Sequence, residues 1–297
     1  MTHSTIEYTF CGNIPAVEVK NDFAQATVLL QGAQVIQFQA HGYEPLLWHN
    51  AHVSFEKGQA VRQGIPVCWP WFGNFDKNPQ TVQHCFNDLA HKDAHGFARN
   101  KLWTLSNWFH DSEGTTLICT LHDLPDHFPL RPTLKFFIGK TLQLTLSTQN
   151  HTSETVHFSQ ALHTYFSVSD IHATEVLGLE HCAYLDALDQ WQNKIQHGPL
   201  FFAAETDRVY LNTPDELRIK NKNNNMIRLQ TQGSASTVIW NPWLEKSQHM
   251  SQMPPDAFRN FLCVETANAA SDTISLDAGQ IHTLELVISS THLKITK

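Results

Sequence analysis

The chain has 297 residues, of which 41% are hydrophobic and 16% charged, a balance that belongs to a globular protein with a sizeable core and excludes a disordered one. A formal net charge of −8 excludes a general binder of nucleic-acid backbone, which needs a basic surface, so an anionic small substrate would require a local cationic pocket. Six widely spaced cysteines without a Cys-x-x-Cys pair exclude a zinc ribbon and a dithiol redox motif, and read as reduced thiols.

The N-terminus has no basic and apolar leader pattern, and the chain holds no uninterrupted apolar run of ~18 residues, so the expectation is a soluble cytoplasmic protein. The length would fit two average domains or one large all-β sandwich. No Pro- or Ser-rich linker divides it, and a single domain over residues 1–297 is expected.

In chain order, Ala26 to Phe38 reads as a pair of strands broken at Gly32. Next comes Arg62-Gln63-Gly64-Ile65-Pro66-Val67-Cys68-Trp69-Pro70-Trp71-Phe72-Gly73. Its prolines and glycines exclude a helix interior or a central strand, because proline removes a donor and glycine loosens the backbone. The result is a rigid aromatic loop. Flat Trp and Phe rings suit the C–H faces of a sugar, and Arg62 at the edge suits an anion, while a purely structural aromatic corner is the plain alternative. His95-Gly96-Phe97-Ala98-Arg99 then supplies a second arginine in a Gly- and aromatic-rich loop. Only seven arginines exist in the chain, so two in such loops suit a bidentate phosphate clamp; bonding to backbone carbonyls is the alternative for each. His91 and His95 stand at helical i, i+4 spacing, but Gly96 breaks the helix and no third ligand is identifiable, so no metal site is assigned.

Trp103 to Phe109, the turn Asp111-Ser112-Glu113-Gly114, and Thr115 to Leu121 form one hairpin; Leu134 to Ile138, Gly139-Lys140 and the alternating Leu142 to Ser147 form another. His163 follows, in Phe158-Ser159-Gln160-Ala161-Leu162-His163-Thr164-Tyr165-Phe166. A histidine among apolar and hydroxyl groups can be tuned as an acid or base, or can be a satisfied core residue. Asp207, in Thr206-Asp207-Arg208-Val209-Tyr210, could accept sugar hydroxyls or pair with Arg208. Asn221-Lys222-Asn223-Asn224-Asn225 reads as a hairpin tip. Glu265 ends an apolar run, Phe261-Leu262-Cys263-Val264-Glu265, and a glutamate in that position without a partner is a functional signal. Thr283 to Ile288 is a late strand. With turn signals throughout and no convincing helical stripe of twelve residues, the fold class is all-β, a large antiparallel β-sandwich.

Taken in order, the Arg62–Gly73 block, His95-Gly96-Phe97-Ala98-Arg99-Asn100, Ala161-Leu162-His163-Thr164-Tyr165-Phe166, Asp207-Arg208-Val209-Tyr210 and Cys263-Val264-Glu265 resemble the hexose-6-phosphate mutarotases, or glucose-6-phosphate 1-epimerases, of the galactose mutarotase-like superfamily. The resemblance runs from Arg62 to about Gly279. It implies a β-supersandwich that interconverts the α and β anomers of a D-hexose 6-phosphate without metal or organic cofactor. It implies His163 and Glu265 as the catalytic pair, Arg62 and Arg99 as phosphate ligands, Asp207 as a substrate ligand, and His95 in a supporting role. Gln63 and Trp69 complete the expected substrate contacts, although Gln63 stands where glycine is expected and Ala94 and Thr266 to Ala270 also depart from the pattern.

Proximity of His163 and Glu265 is expected to favour both charged forms, giving a protonated acid and an ionised base at neutral pH. The expected partner is a small phosphosugar, with no nucleic acid or membrane, for a chain acting as a monomer. Two alternatives stand: an aldose 1-epimerase of unphosphorylated sugars, which the two arginines disfavour, and a non-catalytic carbohydrate-binding or sensing module, which has no need of an acid and a base. A dinucleotide-dependent oxidoreductase is disfavoured because no Gly-x-Gly-x-x-Gly loop is present.

Overall fold

The structure is a computed structural model that describes residues 4–221 and 226–290. Alternation of apolar and polar side chains builds the larger sheets, because successive strand residues face opposite ways. Along Leu142–Asn150 every second residue is buried, and this strand pairs with Leu130–Gly139 through the Gly139-Lys140 turn, with Ile138 opposite Leu142. The hairpin Thr104–His110 and Gly114–Thr120 also forms, its turn held by the Asp111 carboxylate, which accepts from the backbone N–H groups of Glu113 and Gly114. The early pair is Ala24–Leu29 with Gln34–Ala40, and the late strand is Ile281–Ser290. The Lys222–Asn225 part of the expected hairpin tip lies outside the described residues; the flanking strands Glu216–Lys220 and Met226–Gln232 pair antiparallel.

Among the described residues the strands assemble into antiparallel sheets of nine and eight strands, with a four-stranded sheet from the N-terminal segment and a two-stranded ribbon. The two α-helices among the described residues, Gln80–Phe86 and Trp243–His249, have seven residues each. The all-β expectation is therefore borne out. No helix among the described residues is long and apolar enough to cross a membrane.

The main core lies between the two large sheets. Leu134, Phe136, Leu144 and Leu286 of the nine-stranded sheet share it with Tyr210, Ile239, Leu262 and Val264 of the eight-stranded one, and truncating one such side chain typically costs about 2–5 kcal/mol. The alternate residues of the eight-stranded sheet face the other way. Directly paired residues share a face, so the registers Val209 with Val238 and Val238 with Glu265 put Val209, Val238 and Glu265 side by side on the face away from the main core. That face carries the chemistry. The Arg62–Gly73 loop contributes just the two-residue edge strand Val67–Cys68 to the sheet, as its prolines and glycines dictate.

Candidate active site

Glu265 lies in Phe261–Asn268, a central strand buried along its whole length, and is 1% exposed. His163 lies between the short strands Gln160–Leu162 and Tyr165–Ser167, both paired to Phe261–Asn268. The Arg62–Gly73 loop holds it there: the backbone N–H of His163 donates to the Pro66 carbonyl at 3.0 Å, and that of Tyr165 to the Gly64 carbonyl at 2.8 Å. Gly64 is obligatory, since its φ is +63° and a Cβ would meet the Val35 carbonyl oxygen at 2.0 Å. The imidazole stacks on the Tyr165 ring, with centroids 5.0 Å apart and 15° between planes. Its Nε2 comes within 3.3 Å of Glu265 Oε1. His163 Nδ1 and Glu265 Oε2, both buried, have no hydrogen-bond partner, which leaves a donor and an acceptor position open for a ligand.

His95 is brought to the same place by a backbone of positive φ at His95 and Gly96. A Cβ on Gly96 would lie 2.1 Å from the Trp69 carbonyl oxygen, so only glycine permits this approach. The His95 ring is 5.6 Å from that of His163, and its Nδ1 accepts from the Gly73 N–H at 3.3 Å. Arg99 donates from Nη2 to the Ala94 carbonyl at 2.7 Å, while its buried Nε has no partner. It is therefore partly a structural arginine and partly an unfilled donor.

The electrostatics correct one expectation. Burial, then the positive field of Arg99, lowers the His163 pKa to about 3, with Arg62 adding to the effect. Burial, then Asp207, raises the Glu265 carboxyl well above its usual range. Removal from water penalises both charged forms more than proximity favours them, so the free site favours the neutral imidazole and the carboxylic acid. Burial also lowers His95, followed by the fields of His163, Arg99 and Arg62. Asp207 is pushed up to about 6 by burial, which outweighs the Lys246 ammonium.

A groove of about 550 Å³, lined by Phe72, Lys77, His95, Trp191, Asp207 and Val209 among others, reaches the pair through His95, whose ring neighbours that of His163. Asp207 faces it and does not pair with Arg208, whose guanidinium lies over the Tyr184 ring and donates to Gln196; adjacent strand residues point to opposite faces. Two expected substrate contacts are corrected. Trp69 is 0% exposed, and its indole N–H donates to Thr148 Oγ1. Gln63 is also 0% exposed, with its side-chain oxygen accepting from the Asn50 N–H. Neither meets the groove, so the aromatic loop is mostly a structural corner, with Phe72 as the ring that reaches the cavity.

His91 and His95 do not share a helical face, because the helix ends at Phe86 and His91 is exposed. Among the described residues, the one group with metal-ligand spacing is His163, Cys263 and Glu265, whose ligand atoms lie within 4.8 Å of one another. Burial, then Glu265, raises the Cys263 thiol well above its ordinary value, so it stands as a neutral thiol beside the pair. The sequence reading missed Lys77 and Trp191; neither lies in a segment with chemical punctuation, and only the meeting of separate loops brings them together.

Comparisons with known proteins give the family and the fold. The family model described as "Aldose 1-epimerase" matches residues 15–289. A protein of Escherichia coli (strain K12) named "Putative glucose-6-phosphate 1-epimerase" is 36% identical over 261 residues, covering 86% of this chain and 83% of its own length. One of the same name from Salmonella typhimurium is 32% identical over 269 residues, covering 87% and 85%. A crystal structure titled as a "putative mutarotase" from Salmonella typhimurium superimposes with a TM-score of 0.85 at 28% identity, covering 96% of this chain and 93% of that one.

Proposed function

The chain belongs to the aldose 1-epimerase family, and from that premise we propose that it is an enzyme interconverting the α and β anomers of D-hexose 6-phosphates, with glucose 6-phosphate as substrate. The observation that carries the proposal is the buried His163 and Glu265 pair, 3.3 Å apart, within the field of two arginines. Arg62 and Arg99 take the phosphate, Asp207 accepts sugar hydroxyls, and His95 supports the ring beside His163.

Anomerisation needs one proton removed from the C1 hydroxyl and one delivered to the ring oxygen. The C1–O5 bond opens to the aldehyde, the aldehyde rotates about C1–C2, and the ring closes on the other face with the proton transfers reversed. A pair holding a single proton between two neighbouring groups meets this requirement in both directions. Bound phosphate cancels the positive charge of Arg62 and Arg99 that disfavours imidazolium at His163. The proton then moves toward His163, leaving Glu265 as the base for the C1 hydroxyl and His163 as the acid for the ring oxygen. Each group contributes on the order of 10²–10⁴-fold, so the reaction requires neither metal nor covalent intermediate. We place the protein in the cytoplasm as a monomer, where six unpaired cysteines are expected.

Two-dimensional exchange NMR at anomeric equilibrium tests the reading. Exchange between α and β H1 signals, accelerated for glucose 6-phosphate, weak for glucose, and lost in Glu265→Gln and His163→Gln, is the expected result. Folded protein that accelerates neither sugar would overturn it in favour of a binding module; equal acceleration of both would point to an unphosphorylated aldose as substrate.

A further inference from the structure

Trp191 stands apart from the other tryptophans. Six of the eight make ring contacts, and Trp103 is 1% exposed with its indole N–H donated to the Ala98 carbonyl. Trp191 has neither a ring partner nor an indole hydrogen bond among the described residues. It is 46% exposed and lines the groove with Asp207 and His95. Its φ is +61°, following Gln190 at +51°. Consecutive left-handed positions favour Gly or Asn, and a bulky aromatic there is an outlier that needs a compensating role.

The loop carrying it is built rather than loose. The Trp191 N–H donates to the Asp186 carbonyl at 2.9 Å, and the Ala187 N–H donates to the backbone carbonyl of Asp207 at 3.0 Å. The Asp186 carboxylate accepts from the Leu188 N–H at 3.2 Å and from Lys194 at 2.8 Å, and Lys194 also bridges to Asp189 at 2.7 Å. An unpartnered aromatic is thus held on a cross-braced loop that is bonded directly to the backbone of Asp207.

We propose that Trp191 is a positioning residue for the hexose 6-phosphate, providing the flat apolar platform on which a C–H face of the pyranose stacks while Asp207 takes its hydroxyls. The inference rests on the mutarotase reading for its ligand. Stacking restricts the ring without touching the reacting atoms, so it acts on substrate binding rather than on proton transfer.

The test combines exchange kinetics with fluorescence titration of glucose 6-phosphate at anomeric equilibrium, where no net reaction occurs. Trp191→Ala should raise KM roughly 2- to 12-fold, the range expected for one aromatic contact, with kcat unchanged, and Trp191→Tyr should restore KM. The ligand-induced emission change should contain a component that disappears in Trp191→Phe. Unchanged KM in Trp191→Ala, or an emission change identical in wild type and Trp191→Phe, would overturn the platform while leaving the mutarotase reading intact. A Trp191-dependent emission change in a protein that exchanges neither anomer would support the platform and sink the enzymatic reading instead. A fall in kcat with KM unaltered, or failure of Trp191→Tyr to rescue, would reduce Trp191 to a structural role.

Discussion

Glu265→Gln should abolish turnover and at the same time stabilise the protein at neutral pH. The Glu265 carboxyl is 1% exposed with one oxygen unpartnered, and burial raises its pKa well above the ordinary value of 4.5. The native state therefore binds a proton that the unfolded chain releases above pH 4.5. For a carboxyl raised on folding, stability is fully present below the unfolded pKa and declines as pH rises toward the folded one. The slope is about 1.4 kcal/mol per pH unit in that window. Glutamine has the same shape and no such slope. The stability of the variant relative to wild type should then increase as pH rises from 5 to 7, by at most about 1.4 kcal/mol per pH unit. Contributions common to both proteins, from Asp207 and from surface groups, cancel in the difference. Urea unfolding at pH 5, 6 and 7 provides the measurement, with the m-value checking that the unfolded state is unaltered. Parallel stability curves for the two proteins would show that Glu265 ionises normally in the folded state, and would refute the neutral-pair argument.

Arg62→Ala and Arg99→Ala should each raise KM for glucose 6-phosphate roughly 10- to 150-fold, the worth of a hydrogen bond to a charged group, with little effect on exchange of free glucose; equal effects on both sugars would place the phosphate elsewhere. Asp207→Asn should show a KM ratio to wild type near unity at pH 5 that climbs above pH 6, because Asp207 ionises at about 6 and only its carboxylate is the stronger acceptor. The phosphate of the substrate titrates in both proteins and cancels in the ratio, so a flat ratio would remove Asp207 from the binding set. Gly96→Ala should lower stability by ~1–3 kcal/mol from the left-handed backbone alone, with a further cost from a Cβ 2.1 Å from the Trp69 carbonyl oxygen; an unchanged urea midpoint would contradict that packing.

The fold class and the central pair of the site were legible in the sequence because their signals are local. Alternation along Leu142 to Ser147 specifies a strand with one buried face, and Gly139-Lys140 specifies its turn, whatever the rest of the chain does. A glutamate ending an apolar run is anomalous without any knowledge of its neighbours, and it led to Glu265. Burial was not legible, because it depends on which surfaces cover a residue. Trp69 and Gln63 sit in the most distinctive block of the chain, yet the fold encloses both and uses the block to pin His163.

The sequence by itself determined which residue types were present, which segments alternate, and where glycine permits a turn: properties carried by a few consecutive residues. Tertiary structure decided that Trp191, Lys77 and Asp207, from separate loops and strands, share one groove. It also decided that His163 and Glu265 are both pushed toward their uncharged forms, since desolvation arises only when distant segments close over both groups together.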